Sequence, residues 1–184
     1  MWLALLLVAS WDMVEEGDRF MVEKQQDGAL VRVRVTMVSH AAPKALAELA
    51  WDLKGQVRYT PNLKSVQILR EEPSKILAYF QVAIPVIANR DYVAEVTRRT
   101  EASTHLMFIE SMSEGPPVPA GFVRMRRVQS TWKFEPNEQG ALVTLISYGD
   151  PGGDLPAWVV SMASTNGPRD VVRALVAHAE KEMK

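Results

Sequence analysis

The 184-residue chain contains no cysteine. Disulfides, thiolate metal sites and cysteine nucleophiles are thereby excluded, and the redox compartment is left open. Histidine is scarce too. His40, His105 and His178 stand far apart, without the HExxH or HxH spacing that sets imidazoles on one metal. No metal and no cofactor is therefore expected. An excess of one charge is also missing: the net charge is −1, so no basic field recruits nucleic acid or an anionic surface. The cluster Arg124, Arg126, Arg127 is local, and strand alternation splits it over two faces. The apolar run Leu3–Ala9 falls far short of the roughly 20 residues that cross a bilayer. There is no Gly-x-Ser-x-Gly elbow and no paired His–carboxylate spacing, so no nucleophile or base is announced. Repeats, linkers and low-complexity segments are absent.

Hydrophobic content of 47% and charged content of 23% are ordinary for a soluble globular chain, and the length suits one domain with a proper core. Residues 1–10, MWLALLLVAS, read in two ways. They are the stub of an export signal whose basic start is missing, or the first turns of an N-terminal helix. Residues 11–184 are read as the domain itself.

Along the domain, Trp11–Gln26 mixes apolar and acidic residues and ends at an Asp27-Gly28 turn. Leu30 to Val38 alternates cleanly, with Arg32 and Arg34 on a solvated face and Val31, Val33 and Val35 on a buried one. From Pro43 the period changes to that of a helix carrying Leu46, Leu49, Ala50 and Leu53, loosened at Gly55. Strands are predicted at Ser65–Glu71, Ile76–Ile84, Tyr92–Thr100, His105–Ser113, Val123–Glu135 and Leu142–Tyr148. The second has apolar residues on both faces and should be covered on both. The loop after it, Ile84–Asp91, is apolar at Val86 and Ile87, where loops are normally polar.

The last stretch predicts one long amphipathic helix. Asp154 is placed to cap it and Pro156 to sit near its first turn. Leu155, Val159 and Met162 share one face, and Val171, Val172, Leu175, Val176 and Ala179 continue an apolar stripe. Between them Gly167-Pro168 predicts a kink or restart, because proline cannot donate to Ser164. The expected class is α+β: a mostly antiparallel sheet of seven to nine strands with one long C-terminal helix lying against it.

Several residues, in order, resemble the START lipid-binding domains of the helix-grip superfamily, and the exported bacterial members most. They are Pro61-Asn62, Pro85, Asn89-Arg90-Asp91-Tyr92-Val93, Gly140, Tyr148, the turn Asp150–Gly153, and Leu155-Pro156-Ala157-Trp158. The resemblance implies a curved antiparallel sheet wrapped around the C-terminal helix, with a hydrophobic tunnel between them and a lid made by the loop before Arg90 together with the C-terminal helix. It implies a protein that binds a lipid or similar apolar molecule and carries or senses it without catalysis, as a monomer with transient membrane contact. Because related bacterial chains carry a signal peptide in this position, a periplasmic or exported location is favoured over a cytoplasmic one. The same fold also hosts polyketide cyclases, which keeps an aromatic or polyketide substrate as the alternative. Sterol-carrying members have an arginine six residues after Arg90; here Val96 stands there, so a sterol would lack that anchor.

On this reading the ligand-binding candidates are Tyr79, Val86, Ile87, Met107, Ile109, Met125, Trp158, Met162 and Asn166. Thioethers adapt to chains of varied shape, and Asn166 offers a hydrogen bond unless it caps a second helical segment. Pro85, Arg90, Asp91, Gly167 and Pro168 are the lid and structural candidates. Arg90 and Asp91 read either as headgroup contacts and a lid latch or as an ion-paired structural corner. For a cyclase, Tyr79, Tyr92, Glu95 and Glu110 are the scattered acid–base candidates.

Overall fold

The computed structural model describes residues 10–27, 30–84 and 87–183, the side chains of Asp27, Leu30, Ala157, Trp158 and Ser161–Ala163 excepted. It consists of β1 (Asp12–Gly17), β2 (Phe20–Asp27), β3 (Leu30–Ser39), α1 (Pro43–Trp51), β4 (Leu63–Glu72), β5 (Lys75–Val82), β6 (Asn89–Glu101), β7 (Thr104–Met112), β8 (Phe122–Arg124), β9 (Arg127–Asn137), β10 (Gly140–Asp150) and α2 (Ala157–Glu182). A 3-10 turn, Gly55–Arg58, follows α1. The sheet runs β1-β2-β3-β10-β9-β7-β6-β5-β4, every neighbour antiparallel, and β8 pairs in parallel with the first residues of β6. This is the expected α+β helix-grip architecture: a curved sheet around a C-terminal helix.

The alternation of each strand assigns its two faces. Val33 and Val35 of β3, Val143 and Leu145 of β10, Trp132 and Phe134 of β9, and Ala94 and Val96 of β6 all fall on one buried face. The registers bring them side by side: Leu145 lies opposite both Val35 and Trp132. Val172, Leu175, Val176 and Ala179 of α2 close onto this inner face, and Leu46 and Ala50 of α1 seal its near end. Each such side chain withdrawn from water contributes about 1.5–3 kcal/mol if large, less for alanine. The C-terminal turns of α2 are further fixed by Glu180, which accepts from the Arg19 guanidinium at 2.9 Å, the Ser39 hydroxyl at 3.3 Å and the His40 backbone N–H at 2.9 Å.

Three local expectations need correction. α2 is continuous through Gly167-Pro168, with neither break nor restart. Packing of the residues beyond Pro168 against the sheet holds the helical path although one hydrogen bond is lost. Its N-cap is Pro156, with no side-chain cap, so Asp154 does not fill that role. The single strand expected at Val123–Glu135 is two, because Met125 leaves the ladder to donate its N–H to the Asp91 carbonyl at 2.9 Å while Arg126 bonds Asp150.

Candidate functional site

The C-terminal half of α2 sits on β3 and β10 and touches α1; among the described residues its backbone makes no comparable approach to β4, β5, β6 or β7. The inner face of that wing is apolar: Ile76, Ala78 and Phe80 of β5 and Ala94 and Val96 of β6 are all nearly inaccessible.

Tyr92 marks this region. Register pairs it with Phe80, on which its ring stacks at 4.7 Å and 9°. The ring is deep enough that burial pushes its phenol well above the ordinary range, and no neighbouring charge contributes to that shift. Yet Tyr92 keeps part of its surface accessible. Along the same face Ile109 lies opposite Ser130, whose hydroxyl meets that of Ser147 at 3.1 Å. The methyl of Met125 lies over Gly149, so that a Cβ there would sit 3.7 Å from it. The wall is thus apolar with a few neutral hydroxyls.

Beside it, at the start of β6, is a corner built from charge, with Asp91 on the opposite face of β6 and Arg90 on the same face as Tyr92. Asp91 is fully buried and receives two bonds from the Arg124 guanidinium, both at 2.9 Å, and one from the Tyr79 hydroxyl at 2.8 Å. Burial alone would raise its pKa, but the bonds from Arg124 and Tyr79 outweigh that and hold it below the usual carboxylate value. Arg90 is 2% exposed and donates to three backbone carbonyls, those of Pro151 at 2.8 Å, Gly152 at 3.2 Å and Ala88. Gly152 takes φ +66°, and a Cβ there would lie 2.7 Å from the Arg124 carbonyl, so only glycine fits. Arg90 therefore ties the loop before β6 to the loop before α2.

The sequence candidates divide accordingly. Met107 and Ile109 share the inner face, and Met107 lies beneath α1, where it joins Phe134 in lining a separate surface groove of about 480 Å³. Met125 reaches the inner face and Ile87 is half-buried at the loop before β6. Tyr79 does not line the inner face. Its alternation is opposite to that of Phe80, and it belongs to the Asp91 corner. Asn166 shares the flank of α2 with Arg169 and Arg173, which pair with Glu15 of β1, and in a continuous helix it caps nothing. Gly167 and Pro168 lie within the helix. Pro85 and Val86, and the side chains of Trp158 and Met162, lie outside what the structure describes. Of the acid–base candidates, Glu95 faces outward and pairs with Lys75, while Glu110 stands opposite Glu95 on that same outer face. Tyr92, an inward acid–base candidate of the sequence, does fall on the inner face, one residue after Asp91. Arg124 as the partner of Asp91 escaped the sequence reading, because nothing local signals it.

Among the described residues no helix is long and apolar enough to cross a membrane, and no group of three or more His, Asp or Glu is placed to hold a metal.

Known proteins agree with this arrangement. A bovine phosphatidylcholine transfer protein is 25% identical over 187 residues, covering 96% of this chain and 87% of its own. The solved STAR-related lipid transfer protein of Xanthomonas axonopodis superposes with a TM-score of 0.83 at 21% identity, over 92% of this chain and 98% of that one. A Streptomyces aromatase/cyclase, Zhui, shares the fold at a TM-score of 0.66 and 14% identity, over 84% and 96%. The START domain family matches residues 10–184, and the chain belongs to that family.

Proposed function

We propose that this protein binds an apolar small molecule in the space between the inner wall of β5–β7 and the start of α2, and carries it without chemical change. The observation that carries the reading is the wall itself, apolar residues around a deep yet accessible Tyr92. Removing a lipid chain from water into such a site contributes about 25 cal/mol per Å² of apolar surface. The lipid-transfer relatives support the same reading. The loop before β6 acts as the lid, hinged on the Arg90 corner, and opens at a membrane surface.

Catalysis in the manner of the aromatase/cyclase would need a proton donor and acceptor aimed into this space. Asp91 is turned away and already bonded to Arg124 and Tyr79. Tyr92, whose phenol is pushed upward by burial, has no described acceptor beside it. Those placements favour carriage over chemistry.

Native mass spectrometry of the purified protein after exposure to mixed lipids, followed by solvent extraction, tests the reading. A stoichiometric apolar adduct is expected, reduced in the Ile109→Trp variant, which fills the wall opposite Ser130. A protein that stays empty with every lipid, or a variant that binds as fully as the wild type, would sink this placement of the site.

A further inference from the structure

A second concavity lies at the far end of β6 from the Arg90 corner. It is the surface groove of about 480 Å³ between α1 and the β6–β7 hairpin, a size that suits a small organic molecule. From Arg90 to Arg98 the strand runs about 26 Å, at about 3.3 Å per residue, so the groove and the carrier space are separate places. Its floor is apolar and closed: Met107 and Phe134, 3% and 0% exposed, belong to the packed core, and Ala47 and Trp51 of α1 flank them.

The charges at its rim do not cancel. Arg98 lies over the Trp51 ring at 4.3 Å and donates to Glu48 at 3.0 Å and to the Pro73 carbonyl at 3.2 Å. Arg99 turns to the outer face of the sheet, over Phe108 at 5.1 Å, and pairs with Glu101 at 2.8 Å. Lys44 is exposed and has no acidic partner among the described residues. His105 meets the Thr100 hydroxyl at 3.0 Å through Nδ1; when Nδ1 accepts there, Nε2 is a free donor. One cation thus stands uncompensated beside an apolar floor.

Such a floor takes a hydrocarbon body out of water, and the ammonium at its edge attracts one negative charge while leaving it hydrated. A dianion would exceed the one free charge, and a cation would be repelled. We propose that this groove is a second binding site, independent of the carrier space, for a small apolar molecule bearing one carboxylate. The carboxylate faces Lys44 and the apolar body lies on Met107 and Phe134. The Arg98 guanidinium, set between Trp51 and Glu48, holds α1 to the hairpin, so the groove is formed before a ligand arrives.

The test titrates 2-naphthoate, a rigid monoanion that loses little freedom on binding, into the full chain labelled with carbon-13 at its methionine methyls. Met107 reports on the groove and Met125, whose methyl lies over Gly149, on the carrier space. Both resonances are assigned from Met107→Leu and Met125→Leu. 2-Naphthoate is expected to shift Met107 and leave Met125 in place. Neutral 2-naphthamide should need about fivefold more for half-saturation. Lys44→Glu should weaken naphthoate binding about tenfold, since an attraction worth a few-fold at an exposed site becomes a repulsion, while Lys44→Arg should bind as the wild type does. A shift of Met125 alone would put the probe in the carrier space and overturn the second site, as would an unmoved Met107 at millimolar naphthoate. Equal affinity for acid and amide, or in Lys44→Glu and the wild type, would overturn the anion preference. A Met107 shift caused by hexaglutamate and not by naphthoate would assign the groove to an acidic segment of a partner protein and overturn the small-molecule inference. None of these outcomes depends on lipid uptake, so the carrier reading stands or falls separately.

Discussion

Asp91 and Arg124 show how a single buried residue can hold a corner. The carboxylate is fully buried and accepts three side-chain hydrogen bonds, so removing its charge leaves the Arg124 guanidinium, itself only 23% exposed, without an opposite charge. Asp91→Asn is expected to destabilise the fold by about 3 kcal/mol, measured as a shift of the urea midpoint at constant slope. The pH dependence has a definite sign. The folded-state pKa of Asp91 lies below the unfolded value of 3.8, so its contribution is fully present above that value and is lost as pH falls through the lower, folded one. Glu180 acts in the same direction: burial would raise it, but bonds from Arg19 and His40 hold it below 4.5. Stability should therefore fall as pH drops below about 4, and Asp91→Asn should flatten that fall.

At the scale of elements, α2 is held unevenly. Its last four turns carry Val172, Leu175, Val176 and Ala179 into the core and end on the Glu180 hub, whereas Gly167 and Pro168 interrupt its middle without breaking it. A Cβ at Gly167 would meet nothing within 4 Å, so no packing demands glycine there. A proline in a helix interior costs about 3 kcal/mol relative to alanine. Pro168→Ala should raise the melting temperature. If the weak point serves to let the first turns of α2 move, the same variant should release bound ligand more slowly in a vesicle-to-vesicle transfer assay. An unchanged transfer rate would leave the proline as tolerated packing.

At the scale of the molecule, α1 and α2 pack on β3, β7, β9 and β10, and among the described residues α2 makes no comparable approach to β4, β5 or β6. The Arg90 corner joins the loop before β6 to the loop before α2, and on the proposed carrier reading a ligand would enter there. Ile87, half-buried in the loop before β6, would meet a membrane first. Ile87→Asp should slow lipid transfer between vesicles several-fold with little change in stability, since one exposed or half-exposed apolar contact is exchanged for a charge repelled by the lipid interior. Equal transfer would remove the loop from the docking surface.

Much of this was legible along the chain. Alternation in Leu30 to Val38 and in Ile76 to Val82 placed strands whose faces the registers confirm, and the apolar stripe of Val171 to Ala179 marked the core side of the last helix. Those patterns are written in neighbouring residues, because a strand repeats every two and a helix every 3.6. The order of motifs from Pro61 to Trp158 also sufficed to name the family. Other properties depended on residues far apart in sequence. That Tyr79 supports a corner while Tyr92 lies on the inner face required knowing which face of β5 and β6 meets the helix. That Asp91 pairs with Arg124 required the parallel docking of β8. That the helix runs on through Pro168 required the packing beyond it. Local periodicity determines what each segment is; only the closing of the sheet around α2 decides which of its faces is core, which is corner and which is left for a ligand.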